Sequence, residues 1–299
     1  MKKFSFKEMR NKLMAAAGVL VVAVIFCGLF TCCKKNDEKK TVSKNETGLV
    51  KKIVCLNPGG AEILFALGKG DLICARSSFC DYPEKILNIP DIGGFDGKSI
   101  SLEKIISFKP DFVYGSKEMH DFLKLPLEKF GIELYLSEVK NISDLMAEIE
   151  YIGRKTNSIA SAGICNNIKM ELESIAEAHK AQERKTVYWE VWNEPFVTCG
   201  KNSFINDIIY AAGGKNIFDD LDADYPMVSQ ESIIAKNPQV IIIPDANGVS
   251  VQNVIQRNGW ENLAAVKLMN VSLIDSNISS RPSPRIIEAV KLVEKILWR

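Results

Sequence analysis

At 299 residues, with 46% hydrophobic and 25% charged side chains, the chain has ordinary globular composition, which excludes a disordered or membrane-filling protein. Its length accommodates one large domain or two of moderate size. The formal charge of +1 conceals an asymmetry: residues 1–31 carry +4, residues 32–52 another +4 and the remainder about −7, so the body lacks the basic surface of a nucleic-acid binder.

The first 31 residues read as an export signal. Basic groups at Lys2, Lys3, Lys7, Arg10 and Lys12 precede an apolar stretch from Leu13 to Phe30 and an abrupt polar turn. Leu29-Phe30-Thr31-Cys32 resembles a bacterial lipoprotein signal, in which cleavage precedes a cysteine that receives lipid, so Cys32 is the expected lipidation site. Cys33 and Cys27 remain alternatives, and the eighteen apolar residues are also long enough to stay as a transmembrane anchor. Either arrangement tethers the body outside the cytoplasm, in a periplasm or at a cell surface. Residues 32–51 are charged and poor in apolar side chains, as a flexible tether should be.

Residues 52–156 alternate strand and helix signals. "KKIVCLNP" predicts a strand, "GGAEILFALGKGD" a helix stopped at Gly68, and "DLICARSS" a second strand. "SISLEKIISFKPDFVYG" predicts a helix capped by Ser101, broken before Pro110 and followed by a strand; "FGIELYLSE" predicts another. Helical spacing then persists from Ser143, breaks near Thr156-Asn157, and resumes from Ser158 to Gln182, a span of about 37 Å at 1.5 Å per residue. Residues 157–184 thus read as a linker helix. Residues 185–299 repeat the plan: strands at "TVYWEVW", "QVIII" and "VSLIDS", and helices at "SFINDIIYAAGG", "VQNVIQRNGWENLAAV" and "SPRIIEAVKLVEKILW". The expected fold is α/β, with two similar lobes containing parallel sheets.

One sentence is written twice. "SLEKIISFKPDFVYG" and "SQESIIAKNPQVIII" share a Ser-x-Glu start, an apolar pair, a proline and an apolar run, so Glu103 and Glu231 occupy matching places in the two lobes. Eight cysteines show neither C-x-x-C nor zinc-site spacing, and with only His120 and His179 beside them no metal centre is expected. Export permits disulfides, but spacing leaves their partners open; small buried thiols are the expectation for most. His179, on a polar helix, is expected to be solvated.

The stretches "SSFCDYP" (Ser77–Pro83), "NEPFVTCGKNSFINDIIYAAGGKNIF" (Asn193–Phe218), "YPMVSQESIIAKNPQVIII" (Tyr225–Ile243) and "RPSPRIIEAVKLVEKIL" (Arg281–Leu297) resemble the helical-backbone (class III) family of ABC-importer substrate-binding proteins, and its cobalamin-binding members above all. The likeness spans roughly residues 52–297. It implies two lobes joined by one long helix, a ligand cleft between them, and a partner consisting of a permease dimer with its ATPase subunits. The chain itself would be a monomer. The resemblance places Phe79, Phe95, Phe196 and Tyr225 on the cleft wall and Arg281 at its polar rim, with Tyr82 and Trp192 as neighbours in the same loops. Asn277 stands where cobalamin binders have an acid, and Ser116 and Glu190 stand where they have aromatics. Glu190 would then hydrogen-bond ligand amides, pair with Arg281 or face away. Glu103 and Glu231 fall on the positions that dock into arginine pockets of the permease, where a first-turn carboxylate is well placed for charge-assisted pairing.

No cofactor is implied; the bound ligand is expected to be cobalamin, with a ferric siderophore or haem as alternatives, the last through Tyr82 or Tyr225 as iron ligand. An extracellular enzyme or an adhesin is the alternative of a different class. An enzyme would need a nucleophile–base pair, a phosphate-binding P-loop or a G-x-S-x-G elbow, and the sequence offers none of these signatures. An adhesin would need no aromatic cleft.

Overall fold

The computed structural model describes residues 49–94 and 99–299. The expected signal segment, most of the expected tether, Cys32 and Phe95 lie outside the described residues.

In the N-terminal lobe, β1 (Ile53–Cys55), β2 (Ile73–Arg76), β3 (Phe112–Ser116) and β4 (Glu133–Ser137) form a wholly parallel sheet in the order β2-β1-β3-β4. The central strand β1 is buried at every residue, as its uninterrupted apolar run requires. After β1 the chain enters the helix Pro58–Ala66. Asn57 caps it by accepting the Gly60 N–H at 2.7 Å, Pro58 begins it, and Gly68 ends it with a φ of +68°.

The C-terminal lobe contains β5 (Lys185–Asn193), β6 (Phe196–Thr198), β7 (Gly214–Asn216), β8 (Val240–Pro244) and β9 (Val271–Ile274). The order is β6-β5-β8-β9, with β7 also pairing to β5. The first part of β5 is parallel to β7 and β8, whereas its far end turns back on itself as an antiparallel hairpin with β6. That hairpin was not expected; it makes this sheet mixed. The predicted helix "VQNVIQRNGWENLAAV" is also two short ones, Val251–Ile255 and Ala264–Lys267, because Gly259 takes a φ of +84° and Trp260 is buried between them.

The repeated sentence folds the same way twice. Ser101 caps the helix Leu102–Ser107 by accepting the Lys104 N–H, and Ser229 caps Gln230–Lys236 by accepting the Ser232 N–H. Each unit ends on a residue with positive φ just ahead of a proline, Lys109 (50°) and Asn237 (43°), and passes into β3 or β8.

Between the lobes, the helix Ile142–Lys155 stops at Thr156, and Asn157 (φ 52°) breaks the chain where the spacing faltered. The linker helix runs Ser161–His179, shorter at each end than the expected Ser158–Gln182 and about 28 Å long. Its last residue is not simply solvated: the His179 ring stacks on Trp298 with centroids 4.6 Å apart, and its Nε2 lies 2.7 Å from Glu294.

Strand alternation divides the interior. Ile53, Cys55, Val187, Trp189 and Ile242 point into one buried cluster that also takes Cys165, Ile168 and Ile175 of the linker helix and Val290 of the final helix, Ile286–Leu297. Val54 and Val113 face a separate outer cluster in the first lobe, and Tyr188, Ile241 and Ile243 face another in the second. The shared interior brings the lobes close together. A Cβ on Gly59 would lie 2.2 Å from the carbonyl oxygen of Pro282.

A polar knot sits within the first lobe. The hydroxyls of Tyr114, Tyr135 (3.1 Å) and Ser137 (2.9 Å) all donate to the buried Glu148 carboxylate. Burial outweighs those bonds and raises its carboxyl above the ordinary range. A carboxyl raised on folding contributes stability that is full below its unfolded value and is lost as pH rises through its folded one. Relative to wild type, Glu148→Gln is therefore expected to gain stability between pH 4 and pH 7 in urea unfolding. A difference that stays the same at both pH values would contradict this.

Candidate ligand cleft and docking positions

The residues singled out in the sequence cluster after the carboxyl ends of parallel strands, where α/β sheets place ligands. After β2, the loop from Ser77 to Pro83 is fastened at its base: Ser77 N–H donates to the Cys55 carbonyl at 3.0 Å, Ser77 Oγ to the Leu56 carbonyl at 3.1 Å, and Ser78 N–H to the Gly93 carbonyl at 2.7 Å. The loop lifts Phe79 and Tyr82 outward, leaving them 54% and 46% exposed. In the other lobe, the β5–β6 hairpin carries Trp192, 49% exposed, whose indole N–H donates to the Glu194 carbonyl at 3.0 Å. Tyr225 is 50% exposed on a loop pinned to β6 through Thr198 N–H to the Pro226 carbonyl and Val228 N–H to the Phe196 carbonyl. Burial around its hydroxyl pushes the phenol up to about 12. Met227, more exposed still, stands on the same loop and went unnoticed in the sequence.

Phe79, Tyr82, Trp192 and Tyr225, each left about half in water, are side chains suited to a flat or partly apolar ligand. Trp192, although on a strand, is not packed into the core. Phe196 is different. It is half-buried, stacked on Trp260 with centroids 5.9 Å apart, and lies 5.1 Å from the Arg257 guanidinium.

Glu190 requires a correction. It is fully buried at the turn of β5, and its carboxylate is gripped by both terminal nitrogens of Arg257 at 2.5 and 2.7 Å. The pairing with Arg281 is not formed, because Arg281 is held elsewhere. Its guanidinium donates to Asp81 at 2.6 and 3.3 Å and to Asn277 at 2.6 Å, and it lies 3.7 Å from Glu62. Arg285 donates to Glu62 at 2.5 and 2.8 Å and lies 3.9 Å from the Tyr82 ring centroid. The rim of one lobe is therefore joined to the aromatic loop of the other by alternating charges. The arginine beside Asp81 holds its carboxyl below the usual range. Sequence reasoning missed Asp81, Glu62, Arg257 and Arg285, although Asp81 and Arg285 lie inside stretches that carry the family resemblance. Ser116, at the end of β3, accepts the Asn57 side-chain amide at 2.9 Å.

Glu103 and Glu231 are each the second residue of their helices and fully in solvent. The Ser101 hydroxyl, 2.6 Å away, is the main influence lowering the Glu103 carboxyl; for Glu231 its own backbone N–H leads, followed by Ser229. Both are thus charged at neutral pH. Each helix leads into a strand parallel to its neighbours, so its first turn lies at the strand-end edge of its sheet, the edge that also carries the aromatic loops.

Among the described residues no group of three or more His, Cys, Asp or Glu side chains converges to hold a metal ion, and no helix is long and apolar enough to cross a membrane.

Comparison with known proteins agrees with this architecture. A vitamin B12-binding protein of Vibrio vulnificus is 28% identical over 252 residues, covering 82% of this chain and 89% of its own. An uncharacterized ABC transporter substrate-binding lipoprotein of Bacillus subtilis is 29% identical over 309 residues, covering 94% and 95%. The crystal structure of the periplasmic vitamin B12-binding protein of Vibrio cholerae superposes with a TM-score of 0.70 at 25% identity, covering 83% of this chain and 96% of that one. The family described as periplasmic binding protein matches residues 53–278, three quarters of the sequence and both lobes, and the chain belongs to that family.

Proposed function

We propose that this protein captures cobalamin outside the cytoplasm and delivers it to an ABC importer, tethered to the membrane by a lipid on Cys32. The observation that carries the choice of cargo is charge balance around the aromatic rings. Arg281 is matched by Asp81, Arg285 by Glu62, and Arg257 by Glu190. Haem brings two propionates, and many ferric siderophores are anionic; either would be best served by an arginine not already committed to a protein carboxylate. Cobalamin instead offers a broad corrin face for Phe79, Tyr82, Trp192 and Tyr225, and peripheral amides for a rim of paired charges that can both donate and accept. The relatives that bind vitamin B12 support the same reading.

Titration with cyanocobalamin, followed by visible absorbance and by quenching of tryptophan fluorescence, is expected to show one site with micromolar or tighter affinity. Haemin and ferric hydroxamates are expected to bind at least tenfold more weakly, a gap of about 1.4 kcal/mol. Saturation by haemin alone would overturn the assignment.

A further inference from the structure

Five cysteines lie among the described residues and all are free thiols, but two of them meet. Cys55 is the last residue of β1, and Cys80 lies in the loop after the neighbouring strand β2; both are fully buried. β1 and β2 pair with Cys55 opposite Arg76. Cys80 N–H then donates to the Ser77 carbonyl at 3.1 Å, a tight turn that folds the loop back over the strand end. Cys80 Sγ donates to the Cys55 carbonyl oxygen at 3.5 Å and lies 3.3 Å from Ser77 Oγ, while Cys55 Sγ donates to the Asn57 carbonyl oxygen at 3.3 Å. Cys74, the nearest other thiol in sequence, is turned toward the outer cluster on the opposite face of the sheet, Cys165 is on the linker helix, and Cys199 belongs to the other lobe.

We infer that Cys55 and Cys80 form a disulfide when the chain folds in an oxidising extracytoplasmic compartment, clamping the loop that bears Phe79 and Tyr82 to the end of β1. The co-reactant is a disulfide donor, either a dithiol oxidase or a small-molecule disulfide. The Cys80 thiolate attacks one donor sulfur, forming a mixed disulfide and expelling the first donor thiolate. The Cys55 thiolate then attacks the Cys80 sulfur, closing the intramolecular bond and expelling the second. Two cysteine thiols are oxidised, one donor disulfide is reduced to two thiols, and the two cysteine protons end on the donor. Cys80 reacts first because it lies on the still-open loop, whereas Cys55 is already held at the end of β1. Since both sulfurs are buried, the bond forms while the loop is still open and is shielded from reductants afterwards.

The test uses the full chain, exported by a bacterial host and quenched with iodoacetamide before lysis. Trypsin releases residues 53–69, with Cys55 as the sole cysteine, and residues 77–85, with Cys80 as the sole cysteine. The expected result is a cross-linked pair of these peptides, lost in Cys80→Ser, and a fall in Tm of about 5–10 °C when unfolding is run with a strong phosphine reductant. Recovery of both peptides singly alkylated, with a Tm indifferent to reductant, would overturn the inference, as would a cross-link from Cys55 to any other cysteine. The wild-type measurements suffice even if Cys80→Ser fails to fold, and neither reads ligand binding, so the result is independent of which cargo the cleft takes.

Discussion

A protein carrying Glu103→Arg together with Glu231→Arg is expected to bind its cargo with unchanged affinity and to lose stimulation of the importer's ATPase. Both carboxylates are exposed on the surface, remote in role from the aromatic rings, and held charged by serine caps and backbone amides. Replacing them reverses four units of charge at the two places where the lobes would meet arginines of the permease. Like charges facing across a docking surface slow encounter and misalign it, so the effect should exceed that of either single variant. ATPase activity in proteoliposomes, measured beside ligand titration of the same preparation, separates docking from capture. Normal stimulation by the double variant would remove these residues from the docking surface.

Arg257→Ala should strongly destabilise the second lobe. It would leave the fully buried Glu190 carboxylate without the guanidinium that grips it through both terminal nitrogens. Removing one member of a buried pair costs about 3–5 kcal/mol. For a folded body of this size that is a drop in Tm on the order of 10 °C. The guanidinium also packs 4.6 Å from the Trp260 ring centroid, so part of the loss is packing. Glu190→Met combined with Arg257→Met removes both charges and should recover most of the stability, since well-packed apolar residues often replace such a pair without penalty. Calorimetry decides: a shift below about 2 °C for Arg257→Ala would show that Glu190 is satisfied without it.

Local chemistry explains what could be read in advance. Ser101 and Ser229 announce their helices because a hydroxyl followed by a glutamate and an apolar pair satisfies the first free N–H groups within a few residues. Gly68 and the Thr156-Asn157 break are also short-range signals, and the structure has them as expected. The aromatic loops were legible through likeness to a family, and their exposure was then for the structure to establish. The ion pairs were not legible. Arg281 and Asp81 are 200 residues apart and Arg257 and Glu190 are 67 apart; nothing in the spacing of either pair selects one partner over another, because tertiary folding brings them together. The β5–β6 hairpin escaped notice because "WNEPFVT" reads as a strand followed by a loop, and its return strand is only three residues long. The split at Gly259 was hidden by a helical spacing that continues on both sides of it.

The interior shared by both sheets and the linker helix sets the mechanical character of the molecule. Neither half possesses a complete core, so severing the chain at the linker should yield fragments that stick to one another or precipitate. For the same reason the mouth cannot gape by swinging on a hinge through bare solvent. Cargo would have to leave through bending of the rim loops, and a transporter that empties this vessel must pry at its lips, not pull apart its halves.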